Sequence, residues 1–144
     1  MPSIEERFSV ALHSSARAWR LAIDRRLKHL NLSQASWMAI TFTAKEKQPP
    51  SQTRLAMLSG VEDPTMVSTV DRLVKAGYMI RTPSATDRRV KLLSLTPAGQ
   101  KVYETVWQEA DVLRRELLGT VDPDTLHTVT VFLEAIQTNI ESLS

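Results

Sequence analysis

Between residues 51 and 99 the apolar positions pass from the three-and-four rhythm of two helices to segments of strand composition. A short helix is expected from Ser51, a capping residue after Pro49-Pro50, to Gly60, which tolerates the left-handed conformation at a helix end. A second helix is expected from Asp63-Pro64, with Asp63 as the capping acceptor and proline at the first helical position, to Gly77. Only residues 60–63 separate the two, which is the spacing of a helix-turn-helix. On this reading Leu55, Ala56 and Leu58 line the inner face of the first helix. Met66, Val67, Val70, Leu73 and Val74 line that of the second, leaving Thr65, Ser68, Thr69, Arg72 and Lys75 outside. Residues 78–82 and 90–95 have strand composition around a turn at 83–86, so a hairpin follows, with Asp87, Arg88 and Arg89 at its tip.

The flanks read as long amphipathic helices. Residues 4–30 repeat apolar positions at Ile4, Phe8, Leu12, Trp19, Ile23, Leu27 and Leu30. Ser33 caps a core helix carrying Trp37, Met38, Ile40, Thr41 and Phe42 to about Lys47. Thr96-Pro97 opens a helix through Val102, Val106, Ala110, Leu113 and Leu117 to Gly119. Asp122-Pro123 opens the last, striped by Leu126, Val129, Phe132, Leu133, Ile136 and Ile140. The fold class expected is mainly α with a small β-hairpin, a winged helix-turn-helix plus a helical dimerisation region. Residues 1–32 and 97–144 form the latter and residues 33–96 the reader, in a single intertwined domain. Three such helices carry more apolar surface than one chain of 144 residues buries. A homodimer is therefore expected through Ile4, Phe8, Leu12, Leu113, Leu117, Leu126, Phe132, Leu133, Ile136 and Ile140.

Net charge is only +2, but its distribution is uneven. Residues 65–101 hold seven Lys and Arg against two acids, and residues 102–144 hold two against eight. That polarity suits a molecule with one end on phosphates. Hydroxyls at Thr65, Ser68 and Thr69 can meet phosphate or base edges, Arg72 and Lys75 anchor phosphates, and an arginine of the hairpin tip suits a narrow minor groove. Asp87 would repel phosphate, so its expected task is to accept from a neighbouring arginine. Ser51 and Gln52 complete the candidate DNA contacts.

Cysteine is absent, which excludes disulfides and thiolate metal sites. No run of about 18 apolar residues and no signal-like leader occur, so a cytoplasmic, nucleoid-associated location is expected. His13, His29 and His127 are scattered, and no glycine-rich phosphate loop, paired-acid motif or nucleophile elbow is present. Neither an enzyme nor a cofactor or metal is expected.

These residues resemble the MarR family of bacterial winged-helix regulators, and within it the SlyA/RovA branch. The resemblance is carried by Arg17-Ala-Trp-Arg-Leu-Ala-Ile-Asp-Arg-Arg-Leu27, Leu32-Ser-Gln-Ala-Ser-Trp37, Gln52-Thr-Arg-Leu-Ala56 and Pro64-Thr-Met-Val-Ser-Thr-Val-Asp-Arg-Leu73. Gly77 and the wing Thr86-Asp-Arg-Arg-Val-Lys-Leu-Leu-Ser-Leu-Thr96 complete it. It implies a homodimer on a pseudo-palindromic double-stranded operator, repressing or activating transcription, with recognition helices in the major groove and wings in the minor groove. It also implies a small aromatic or anionic effector, at positions similar to Arg17, Trp37 and Thr41, although Trp37 suits a core anchor as well. Ser68 stands where SlyA-like members carry arginine, so the operator sequence is expected to differ. The alternative reading is a winged-helix module that binds protein or a small molecule and has weak or lost DNA recognition.

Overall fold

Most helices of this protein start on a side-chain acceptor that takes up a free backbone N–H of the first turn. The computed structural model describes residues 1–143. Helix α1 (Ile4–Arg26) is capped by Ser3 Oγ, which accepts from Glu6 N at 3.1 Å. It is shorter than its apolar pattern predicts. At Leu27 the chain tightens into a 3-10 turn over Lys28–Leu30, closed by Asn31 at φ 55°, a left-handed conformation that asparagine tolerates. Helices α2 (Gln34–Lys45) and α3 (Gln52–Ser59) are capped by Ser33 and Ser51 as expected, and α3 ends on Gly60 at φ 68°.

Helix α4 (Asp63–Lys75) differs in its first turn. Its cap is Glu62, which makes no side-chain capping bond, so Asp63 lies inside the helix rather than before it. A carboxylate there still faces the positive end of the helix dipole. Strands β1 (Met79–Pro83) and β2 (Lys91–Leu95) pair antiparallel, with Met79 opposite Leu95 and Pro83 opposite Lys91. The base of this hairpin is tied to the start of α3: Leu93 N donates to Pro50 O at 2.9 Å, and Ser51 bridges to Leu92.

Helices α5 (Pro97–Leu118) and α6 (Pro123–Glu141) follow. Thr96 Oγ1 caps α5, accepting from Gly99 N at 3.1 Å while donating to Gly77 O at 2.6 Å. One hydroxyl thus fixes the end of the helix pair to the beginning of α5. Asp122 caps α6 by accepting from Thr125 N at 3.2 Å.

The chain divides into two compact units, residues 1–110 and 111–144. In the first, Leu27, Trp37, Ile40, Leu55, Met66, Val70, Leu73, Met79, Leu93 and Val106 form one buried cluster drawn from α1's end, α2, α3, α4, both strands and α5. The hairpin and the helix pair therefore share a core, which fixes where the wing sits relative to α4. In the second unit, Val129, Phe132 and Ile140 of α6 and Leu117 of α5 are exposed, while Leu126, Leu133 and Ile136 are half-buried. Among the expected interface residues at the other end, Ile4 is exposed and Phe8 and Leu12 are half-buried. Leu113 departs from expectation: it is already covered in the single chain at 4% exposure.

Candidate nucleic-acid interface

Helix α4 buries Met66, Thr69, Val70 and Leu73. That stripe follows the spacing i, i+3, i+4, i+7, and it corrects two of the expected assignments. Thr69 is completely buried, its hydroxyl donating to Thr65 O at 3.0 Å, and so it offers nothing to a ligand outside. Val67 is the residue left outside, at 39% exposure. Position 69 lies one turn above Met66 and beside Leu73, whereas 67 falls off the stripe. A buried threonine is tolerated because its hydroxyl finds a carbonyl within its own helix.

The opposite face presents Pro64, Ser68, Asp71 and Lys75 in single file, with Thr65 and Arg72 beside them, all exposed. Neither Arg72 nor Lys75 is in an ion pair among the described residues, so both cations face solvent. Asp71 was not singled out among the candidate contacts, although its spacing from Ser68 and Lys75 places it on the same face. Its carboxylate Oδ1 accepts from Arg81 Nη2 of β1 at 2.5 Å. The pair links α4 to the first strand of the wing.

At the hairpin tip, Asp87 performs the role expected of it. Its Oδ1 accepts from Arg89 N at 3.0 Å and from Arg89 Nε at 3.1 Å, and its Oδ2 accepts from Arg89 Nη2 at 3.3 Å. The Arg89 side chain, and then its backbone N–H, hold the Asp87 carboxyl below the usual aspartate range. Arg89 nevertheless remains 92% exposed, so its guanidinium is aimed rather than hidden. Arg88 is exposed and makes no such contact among the described residues.

Two expected contacts near α3 are half-buried instead of projecting. Ser51 Oγ accepts from Arg54 N at 3.0 Å as the helix cap, and Gln52 Oε1 is buried without a partner among the described residues. Arg54 pairs with Glu46 beyond the end of α2, which raises the guanidinium pKa above its ordinary value, chiefly through that hydrogen bond.

The residues considered for an effector do not converge. Trp37 is 5% exposed, its indole N–H donating to Asp24 Oδ1 at 2.9 Å, and Thr41 Oγ1 donates to Trp37 O at 2.9 Å. Arg17 lies along α1 with His13, Ser14, Ala18, Leu21 and Arg25, in a depression that includes neither Trp37 nor Thr41. A larger cleft, of about 670 Å³, opens between α2 and the turn that follows α3. It is lined by Arg20, Met38, Phe42, Met57, Val61 and Met66 and runs along the turn between α3 and α4. No helix among the described residues is long and apolar enough to cross a membrane, and no cluster of metal-ligating side chains occurs among them.

A model of the MarR family matches residues 30–91, the segment running from the end of α1's extension to the start of β2. The transcriptional regulator PA3341 is 34% identical, with 94% of this chain and 99% of that one covered and a TM-score of 0.88. Staphylococcus aureus MarR, solved in complex with salicylate and kanamycin, is 20% identical over 97% of this chain and 95% of its own, with a TM-score of 0.81. NadR in complex with 4-hydroxyphenylacetate is 21% identical over 100% and 96%, with a TM-score of 0.80. The helix pair, the hairpin wing and these matches agree: the chain belongs to the MarR family of DNA-binding transcriptional regulators, and is a regulator rather than an enzyme.

Proposed function

We propose that the chain acts as a homodimer on a pseudo-palindromic double-stranded operator, with two copies of α4 in successive major grooves about one helical turn apart and the wings in the flanking minor grooves. The observation that carries this reading is the outward face of α4, relieved of any core duty and tied to the wing strand through Asp71 and Arg81. Thr65 and Ser68 meet base edges or phosphates. Arg72 and Lys75 anchor the backbone, and Arg88 and Arg89 serve the minor groove with Asp87 as a brace. Thr69 is not among the contacts. Residues 33–96 are the reader, a division supported by the match over residues 30–91. Residues 1–32 and 97–144 pair the two copies. The wing motif assigns the chain, in this reading, to the SlyA/RovA-like branch, acting within the cytoplasm on the nucleoid.

Binding of this kind weakens steeply as salt rises. Removing one phosphate-anchoring cation, as in Arg72→Ala, lowers the slope of log affinity against log salt by about one. An affinity independent of salt and sequence overturns the reading and leaves the module without DNA recognition. The dimer rests on apolar residues exposed in the single chain, Ile4, Leu117, Val129 and Ile140 among them. Sedimentation at micromolar concentration is expected to give twice the chain mass, and Ile140→Asp combined with Ile4→Asp to shift it toward the monomer.

A small aromatic anion regulates the dimer in this reading, and the cleft holding Arg20 suits it better than the separated Arg17, Trp37 and Thr41. Met38, Phe42 and Met57 supply an apolar wall, and Arg20 is in no ion pair among the described residues. Salicylate titrated by calorimetry is expected to lose affinity in Arg20→Gln and not in Arg17→Gln. The reverse order places the effector on α1's other face.

A further inference from the structure

We infer that Asp71 is a base-reading residue of α4, with Arg81 as its positioning partner, and that it selects cytosine at one position of each half-site. The inference rests on the reading of α4 as the groove-facing helix. Asp71 lies on the outward file between Ser68 and Lys75, and its side chain is 56% exposed. Only Oδ1 is engaged, by Arg81 Nη2 at 2.5 Å, and Oδ2 has no hydrogen bond among the described residues. Arg81 is the more enclosed partner at 28% exposure, with its Nε buried. The guanidinium is thus held by this one bond on the wing side, and the carboxylate, more than half exposed, keeps one acceptor open.

A carboxylate on such a face is repelled by phosphates, and two features offset that cost. Arg81 supplies a matching charge on the protein side, so the file meets the groove with Asp71 neutralised as a pair. The open oxygen accepts, and in the major groove the donors are the amino groups of cytosine and adenine, with cytosine N4 the usual partner of a carboxylate. Guanine O6 and N7 and thymine O4 present acceptors to an acceptor and are rejected. Ser68 sits one turn earlier, where it lacks the reach of a long cation. The shift of discrimination from position 68 to position 71 follows from the two side chains present.

Selection from a random duplex pool by the wild-type dimer, Asp71→Asn and Arg81→Lys tests this directly. The wild type is expected to enrich cytosine at one position per half-site and to lose about tenfold in affinity when that base pair is reversed. Asp71→Asn keeps the shape, replaces an acceptor with donors, and is expected to lose the cytosine preference there while the rest of the motif persists; Arg81→Lys keeps the pair and the preference. An identical motif for wild type and Asp71→Asn, with affinity lowered equally on every sequence, overturns the assignment and leaves the pair a brace between helix and wing. A wild type that enriches no motif at all overturns the DNA-reading role of α4, and this assignment with it.

Discussion

The indole N–H of Trp37 donates to Asp24 Oδ1 at 2.9 Å, joining α2 to α1 thirteen residues earlier through a bond that is partly buried. Around it Trp37 packs in the same cluster as Leu27, Ile40 and Leu73. Of the two roles open to Trp37, effector contact and core anchor, the burial matches the second, and its one polar atom is satisfied. Trp37→Phe keeps most of the apolar body and leaves Asp24 without its donor. Urea unfolding is expected to show a loss of about 1–3 kcal/mol, while Asp24→Asn, which retains an acceptor, costs less. Unchanged stability in Asp24→Ala, which removes the acceptor and leaves the indole in place, would show that the bond contributes nothing beyond packing.

Thr69 and Thr65 separate a structural hydroxyl from an interfacial one. Thr69→Val fills the same buried space and removes one donor to Thr65 O, so stability is expected to change by no more than about 1 kcal/mol and operator preference not at all. Thr65→Val, on the exposed side, is expected to weaken operator binding without altering the unfolding midpoint. Competition binding on duplexes varied one base pair at a time distinguishes the two.

Gly99 is fixed by a neighbouring backbone rather than by its own dihedral angles. A Cβ there would lie 2.1 Å from Tyr78 O, and the carbonyl cannot move freely because it also accepts from Thr96 N at 3.1 Å. Gly99→Ala is expected to cost about 1–3 kcal/mol or more, as overpacking does, and to loosen the root of the wing. A thermal midpoint equal to wild type would show that α5 shifts at no cost.

The Asp87 brace is sensitive to acid. Its folded carboxyl titrates below the ordinary aspartate value of about 3.9, so the contact with Arg89 is fully present above that value and is lost as pH falls through the depressed one. An NMR titration of the Asp87 side-chain carboxyl is expected to show a midpoint lower than that of an exposed aspartate, and Arg89→Gln to raise it part of the way back, the backbone N–H of residue 89 still donating. Both groups are on the surface, so the effect appears in wing order and operator affinity rather than in global stability.

Much of this architecture was legible in the sequence because local chemistry decides it. Ser33, Ser51, Thr96 and Asp122 cap helices by reaching a backbone N–H three residues on, an interaction that needs no distant partner. Gly60 closes α3 and Asp87 turns to Arg89 for the same reason. The exposed stripe of α6 follows from periodicity alone. Two helical registers fit the apolar positions of α4, and packing selects between them. A register through Val67, Val70 and Val74 leaves Thr69 outside, yet packing buries Met66, Thr69, Val70 and Leu73 and leaves Val67 exposed. Tertiary contacts decided the rest. Asp71 meets Arg81 ten residues later only because α4 and β1 share the core of Met79 and Leu73, and Trp37 meets Asp24 only because α2 packs across the end of α1. Pairings across elements depend on where packing sets each backbone, and that information is not contained in the spacing of any single segment.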